Sequence, residues 1–152
     1  MYNGEKIYVK KKGKTYLYEK KKRRCEKNMQ SKPHCKDVLE MLNVIKLYHW
    51  KTHSFPEHKN TDELHERLQS HVDKFVEVYL GKDGTRLGKW DKQMEARQYE
   101  NTKDFKTRMY FYRTFIIELK QCYKKTKDSD LSNILDEILA DVNQFLYLLT
   151  FK

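Results

Sequence analysis

Four stretches of the chain place apolar residues at helical spacing. Val38, Leu42, Ile45 and His49 recur three or four positions apart, flanked by Met41 and Tyr48, and predict a helix A over about 35–52. Leu64, Leu68, Val72, Phe75 and Tyr79 form the next stripe. They predict a helix B from about 58 or 61 to 80. A break at Ser54-Phe55-Pro56-Glu57 precedes it, and Gly81 is its expected stop. Met109, Tyr112, Phe115/Ile116, Leu119 and Tyr123 mark a helix C that starts on Asn101 or Thr102 as N-cap and runs to about Lys127. Leu131, Ile134/Leu135, Ile138, Val142, Phe145 and Leu149 mark a helix D over about 130–150, after a turn at Asp128-Ser129-Asp130. Residues 81–98 carry Gly81, Gly84 and Gly88 and read as a long crossover, with room for a short helix near Asp91–Arg97.

The segment before these helices follows another pattern. β-Branched and aromatic residues flank a Lys-Gly turn across residues 6–18, which predicts a β-hairpin. Lys20-Lys21-Lys22-Arg23-Arg24 follows as an unbroken cationic run. The 152 residues carry a formal net charge of +10. Residues 1–36 hold 13 Lys and Arg against 3 Asp and Glu, while the remainder holds 19 of each. The whole excess therefore belongs to the N-terminal quarter. Two domains are expected, a basic hairpin and arm over 1–34 and a charge-balanced helical body over 35–152. The arm reads either as a solvated extension or as a phosphate-contacting one. In the second case Lys10, Lys11, Lys12, Lys14, Lys20, Lys21, Lys22, Arg23 and Arg24 are the nucleic-acid-binding candidates.

Short A–B and C–D links with one long B–C link predict an all-α fold, a four-helix bundle with ferritin-like connectivity. No apolar run is long enough for a transmembrane helix, and the first residues lack the apolar core of a secretory signal. Three cysteines make no disulfide framework and are expected to be free thiols in a reducing compartment. No Gly-rich phosphate loop or Ser/His/Asp arrangement stands out.

The chemistry-bearing residues cluster on helices A and B. Asp73 and Glu77 lie one turn apart on helix B, and Asp73 sits roughly 160° from the middle of its apolar stripe. His58 and Asp62 make a second pair of the same spacing, and His49 ends helix A. Imidazole with carboxylate oxygens suits Fe(II), Mn(II) or Zn(II). A lone i, i+4 acidic pair is ordinarily a solvated face, and a lone His on an apolar stripe is ordinarily packed in the core.

Read as a unit, His49-Trp50, His58-x-x-x-Asp62 and Asp73-x-x-x-Glu77 resemble the ferroxidase signature of the Dps proteins, the mini-ferritins. The last helix, Asp130 to Leu149, is similar to that family's as well. The resemblance covers residues 38–151 and leaves out the basic arm. It implies a ferritin-like fold and a metal site shared across a twofold axis. His49, His58 and Asp62 of one subunit would then face Asp73 and Glu77 of another, with Trp50 beside them. It also implies Fe(II) oxidation with peroxide or oxygen, iron storage, a homo-oligomer (a dimer at least, a dodecamer in the Dps manner) and shielding of DNA. Two departures are visible. The A–B loop is shorter than in Dps proteins, and the Glu-x-x-His pairs of di-iron ferritins are absent. The stretch from His49 to Lys59 is also similar to an uncharacterised Dps-like group of large DNA viruses.

Weaker candidates complete the reading. Cys25, His34 and Cys35 lack a fourth zinc partner. His53, His65 and His71 read as assisting ligands or surface histidines. Asp136, Glu137 and Asp141 read as an acidic lining or a solvated face, and Cys122 as a small apolar residue. Three functions compete: a Dps-like ferroxidase, a non-catalytic nucleic-acid-binding protein, and a virion structural protein on the same scaffold. Iron or another divalent metal is the expected cofactor and DNA an expected partner through the arm, with no membrane. The expected location is cytoplasm, nucleoid or virion.

Overall fold

The apolar stripes become four helices in the computed structural model, which describes residues 35–88, 93–94 and 96–151. Helix α1 spans Cys35–Lys51, α2 Phe55–Asp83, α3 Thr102–Lys120 and α4 Ser129–Leu148. No strand occurs among the described residues, all of which belong to the compact unit His34–Lys152. The expected hairpin and basic arm, with their nine cationic candidates, lie outside the described residues.

Local chemistry sets the helix ends. Ser54 caps α2, its hydroxyl accepting from the Glu57 N–H at 3.4 Å, and Pro56 occupies the first turn, where a missing N–H costs nothing. The sequence Ser54-Phe55-Pro56-Glu57 therefore starts the helix rather than breaking it. Gly81 does not stop α2. The helix continues to Asp83 and ends on Gly84, at φ 68°, a left-handed conformation that glycine adopts without a Cβ penalty. Asn101 caps α3 as expected, its side chain accepting from the Asp104 N–H at 2.9 Å. That helix ends at Lys120, short of Lys127, and the intervening residues form turns. Residues 93, 94, 96 and 97 are not helical, so the described part of the crossover carries no short helix.

The hydrogen bonds fix the direction of each helix. Thr102, which opens α3, donates to Glu57, which lies in the first turn of α2, at 2.8 Å. Lys82, in the last turn of α2, reaches Asp128 and Asp130 at the start of α4. So α2 and α3 run parallel, and the 84–101 link returns the chain along the bundle from one end to the other. Helix α4 runs back antiparallel to both. Helix α2 packs against α1 and α4, and α4 against α3.

Each stripe faces one core. Val38, Ile45, Leu64, Leu68, Phe75, Met109, Ile116, Leu135, Ile138 and Phe145 are all buried there. Phe105 joins them, fully buried, with its ring stacked at 3.9 Å on Tyr48. Each such side chain stabilises the bundle by about 1.5–3 kcal/mol of transfer free energy, an upper estimate. No helix of the described residues is long and apolar enough to cross a membrane.

Candidate metal centre

The joint between α1 and α2 is only residues 52–54 long, and it folds His49 onto His58. The two imidazoles stack with centroids 3.8 Å apart and planes inclined by 22°. His49 Nδ1 lies 2.8 Å from the His58 carbonyl oxygen, and His58 Nδ1 lies 2.9 Å from the His49 carbonyl oxygen. A carbonyl only accepts, so each Nδ1 carries the proton and donates. In the neutral rings this leaves both Nε2 atoms unprotonated, the state in which imidazole binds a metal. The Thr61 hydroxyl, which donates to the Glu57 and His58 carbonyls, lies 3.3 Å from His49 Nδ1.

A carboxylate lies next to the pair. His49 Nε2 is 3.7 Å from Asp62 Oδ1, and the same oxygen accepts from Lys46 Nζ at 3.0 Å. The Lys46 hydrogen bond holds the Asp62 carboxyl below its usual range, so Asp62 is ionised at neutral pH. The Lys46 ammonium thus supplies a cation to this oxygen. His65 stands one turn further along α2 and is half-buried. Burial, followed by the positive charge of Lys46, pushes its imidazole below the ordinary range, which keeps it neutral.

A half-buried network braces the joint. Glu57 accepts from the Tyr48 hydroxyl at 2.7 Å, from Thr52 at 2.8 Å and from Thr102 at 2.8 Å. Burial pushes the Tyr48 phenol up, so it stays a donor. One carboxylate thus ties α1, the link and the start of α3 to the first turn of α2.

Asp73 and Glu77 lie elsewhere. Both are exposed on α2, on the side away from Leu68, Val72 and Phe75. Asp73 lies eleven positions after Asp62, about 16 Å along a helix, so the two carboxylates do not meet within one chain. Among the described residues, no three His, Cys, Asp or Glu side chains are gathered closely enough to hold a metal ion. The structure stacks His49 on His58 and sets His49 near Asp62 without closing the three into a metal-holding group, and it leaves Asp73 and Glu77 as a separate exposed pair. Trp50, which follows His49 in the sequence, is 69% exposed and Phe55 is 76% exposed, so Trp50 does not pack in the core.

The remaining candidates are accounted for by other contacts. Asp141 pairs with Arg67 at 3.1 Å and with His71 Nδ1 at 3.1 Å, Glu137 lies 3.7 Å from His71, and Lys120 pairs with Asp136. These acids hold α2 and α3 to α4 rather than forming a bare acidic face. His53 is exposed. Cys35 is a buried free thiol that burial pushes above its ordinary range, which disfavours a zinc thiolate, and Cys25 and His34 lie outside the described residues. Cys122 is disulfide-bonded, contrary to the expected free thiol. Sequence reasoning missed Lys46, Glu57 and Tyr48. The only signal it offered for them was their place within one turn of the histidines.

A model for a family of unknown function, DUF5856, matches residues 49–149. That match takes in His49, His58, Asp62, Asp73 and Glu77. No curated protein and no solved structure matches the chain.

Proposed function

We propose that this chain, which belongs to the DUF5856 family, is a Dps-like ferritin that binds Fe(II) as substrate between subunits and oxidises it. The observation that carries this reading is the reciprocal bonding of His49 and His58 to each other's carbonyl oxygens, which directs both Nε2 lone pairs away from the backbone. Ionised Asp62 supplies an oxygen donor beside them. Two imidazoles and one carboxylate leave coordination positions open, as redox-active iron sites do. Asp73 and Glu77 complete the set only from a second copy, because they lie too far along α2 to act in their own chain. Exposed Trp50 and Phe55 supply apolar surface for that copy to cover. The helix directions and the long return link agree with a ferritin-like bundle. On this reading the five side chains hold Fe(II) while peroxide or oxygen accepts its electron, and the ferric product is stored within the oligomer.

The test is Fe(II) consumption with peroxide by the full chain, alongside its native mass. The expected results are an oligomer and oxidation faster than in buffer, reduced at least tenfold by Asp73→Ala with Glu77→Ala and by His58→Ala. Oxidation no faster than buffer, or a double variant that behaves as wild type, would overturn the proposal.

The segregation of charge favours a second reading, a nucleic-acid-binding or virion structural protein built on the same bundle. It predicts DNA affinity that falls steeply with salt and loses that slope when residues 1–34 are removed. An unchanged slope would rule the arm out.

A further inference from the structure

The seam between α3 and α4 presents aromatic rings to solvent. Arg113 Nε donates to Asn143 Oδ1 at 2.6 Å, and Lys120 pairs with Asp136. These two contacts set the register of the antiparallel helices, and both lie on the exposed side of the seam. In that register Tyr110, one turn before Arg113, stands level with Tyr147, one turn after Asn143. Tyr110 is 46% exposed, Tyr147 62% and Phe151 61%. The Tyr147 and Phe151 rings meet edge to face, with centroids 5.0 Å apart and planes at 87°. Isolated exposed rings are ordinary, but three gathered on one seam mark a surface that a partner covers.

The charge of the seam is one-sided. From Phe105 to Ile117, α3 carries three cations and no acid, and from Val142 to Phe151 the chain carries no charged residue. Of the three cations, Arg108 lies against the Phe111 and Tyr112 rings. Lys106 has no acidic partner among the described residues, and Arg113 gives its Nε–H to a neutral amide. The nearest acids stand at the margins. Asp104 is held at the start of α3 by Asn101, and Glu118 comes only after Ile117. Asp136 is paired with Lys120, and Asp141 turns to Arg67 and His71 of α2. Exposed Asn143 and Gln144 add amide groups on the Tyr147 face of α4.

We propose that this seam binds single-stranded nucleic acid. Unpaired bases stack on Tyr110, Tyr147 and Phe151, while Lys106 and Arg113 take the phosphates. Rings and cations together select the partner. A duplex keeps its base faces stacked inside and offers these rings nothing to lie on. A second copy docked through the same seam would set Lys106 and Arg113 against their own kind, and like charges across an interface destabilise it. A lipid surface uses rings and cations but leaves the Asn143 and Gln144 amides idle, whereas those amides suit base edges. The proposal rests neither on the iron reading nor on the cationic N-terminal segment, since none of its residues belongs to either.

The experiment is fluorescence anisotropy of the full chain at physiological ionic strength. The probes are labelled oligodeoxythymidine, oligouridine and a DNA duplex, each about 20 nucleotides long, a length that spans one or more sites of this kind. The single strands should bind more tightly than the duplex. Tyr110→Ala and Tyr147→Ala should each weaken single-strand binding about fivefold or more and leave duplex binding unchanged. Both rings are largely exposed, so the core survives their loss, and neither substitution alters charge. A cationic segment that contacts the phosphates of either form cannot produce that difference. Lys106→Gln should lower the slope of log affinity against log salt on single strands by about 0.7. Tighter binding of oligouridine assigns the seam to RNA, and tighter binding of oligodeoxythymidine assigns it to DNA. Three results would overturn the proposal: a duplex bound as tightly as the single strands, tyrosine variants equal to wild type, or variants whose native mass falls because the seam joins copies. Binding to phosphatidylserine vesicles that the same substitutions abolish would overturn it as well.

Discussion

Replacing Glu57 by Ala tests whether one carboxylate holds the α1–α2 joint. The substitution removes the acceptor of three side-chain hydrogen bonds, from Tyr48, Thr52 and Thr102. Three charge-assisted bonds at about 1.5–3 kcal/mol each set an upper limit near 9 kcal/mol. Thr52 and Thr102 are only half-buried, however, and water replaces much of what they lose. Tyr48 is 4% exposed, and the contact left to its hydroxyl is Thr102 at 3.1 Å. The expected cost is therefore about 2–4 kcal/mol, of which most is the desolvated Tyr48 hydroxyl. For a domain of this size that corresponds to a fall in Tm of about 8–16 °C. Glu57→Gln keeps one carbonyl acceptor and should lose less than half as much. Urea unfolding measures the cost, and nitrogen-15 spectra of the histidine rings report the joint. The Nδ1 proton signals of His49 and His58, each held by a hydrogen bond to the other's carbonyl, should disappear in Glu57→Ala while α4 stays unchanged. A loss under about 1 kcal/mol with both protons retained would show that the short link alone sets the joint, and the reasoning would fail.

Two further outcomes follow from the same corner of the bundle. Lys46→Met removes the ammonium that occupies Asp62 and keeps the apolar stem. Co(II) binding, followed by visible absorption, should strengthen about two- to fivefold, and unchanged affinity would mean that Asp62 takes no part. Because the folded-state pKa of His65 is depressed, the unfolded chain binds the extra proton first. This group's contribution to stability therefore rises with pH between its lowered value and about 6.5. His65→Gln should flatten the urea midpoint against pH across that window; an identical profile would show His65 to be hydrated like an exposed imidazole.

Much of the bundle was legible in the apolar periodicity, because a stripe at 3.6-residue spacing has one way to be buried. Leu64, Leu68, Val72 and Phe75 were assigned to the core on that ground and are buried there. The ends of α2 were not legible. Gly81 and Gly84 are both stop signals by composition, and a Cβ at either position would meet nothing within 4 Å. What separates them is where the chain turns toward the crossover, a tertiary decision. Pro56 was misread for a related reason: the residue that breaks a helix interior is welcome in a first turn. The angular argument correctly put Asp73 and Glu77 outside the core. The pairing of His49 with His58 was not legible, because it needs the exact length of the joint. Lys46 on Asp62 was invisible for the same reason, since the contact spans 16 positions. Phe105 escaped notice because it sits in the first turn of α3, before the stripe establishes its period.

The two histidines also cap a helix. Near the end of α1 the backbone carbonyls run out of amide partners, and the His49 carbonyl accepts a hydrogen bond from the His58 Nδ1–H instead. Whatever withdraws electron density from an Nε2, whether a proton or an ion, makes the opposite ring nitrogen a stronger donor to that carbonyl. The ring chemistry and the hinge between the first two helices thus draw on one free energy. By reciprocity, an occupant that prefers the closed hinge is held more tightly by it, to the same degree that it closes it.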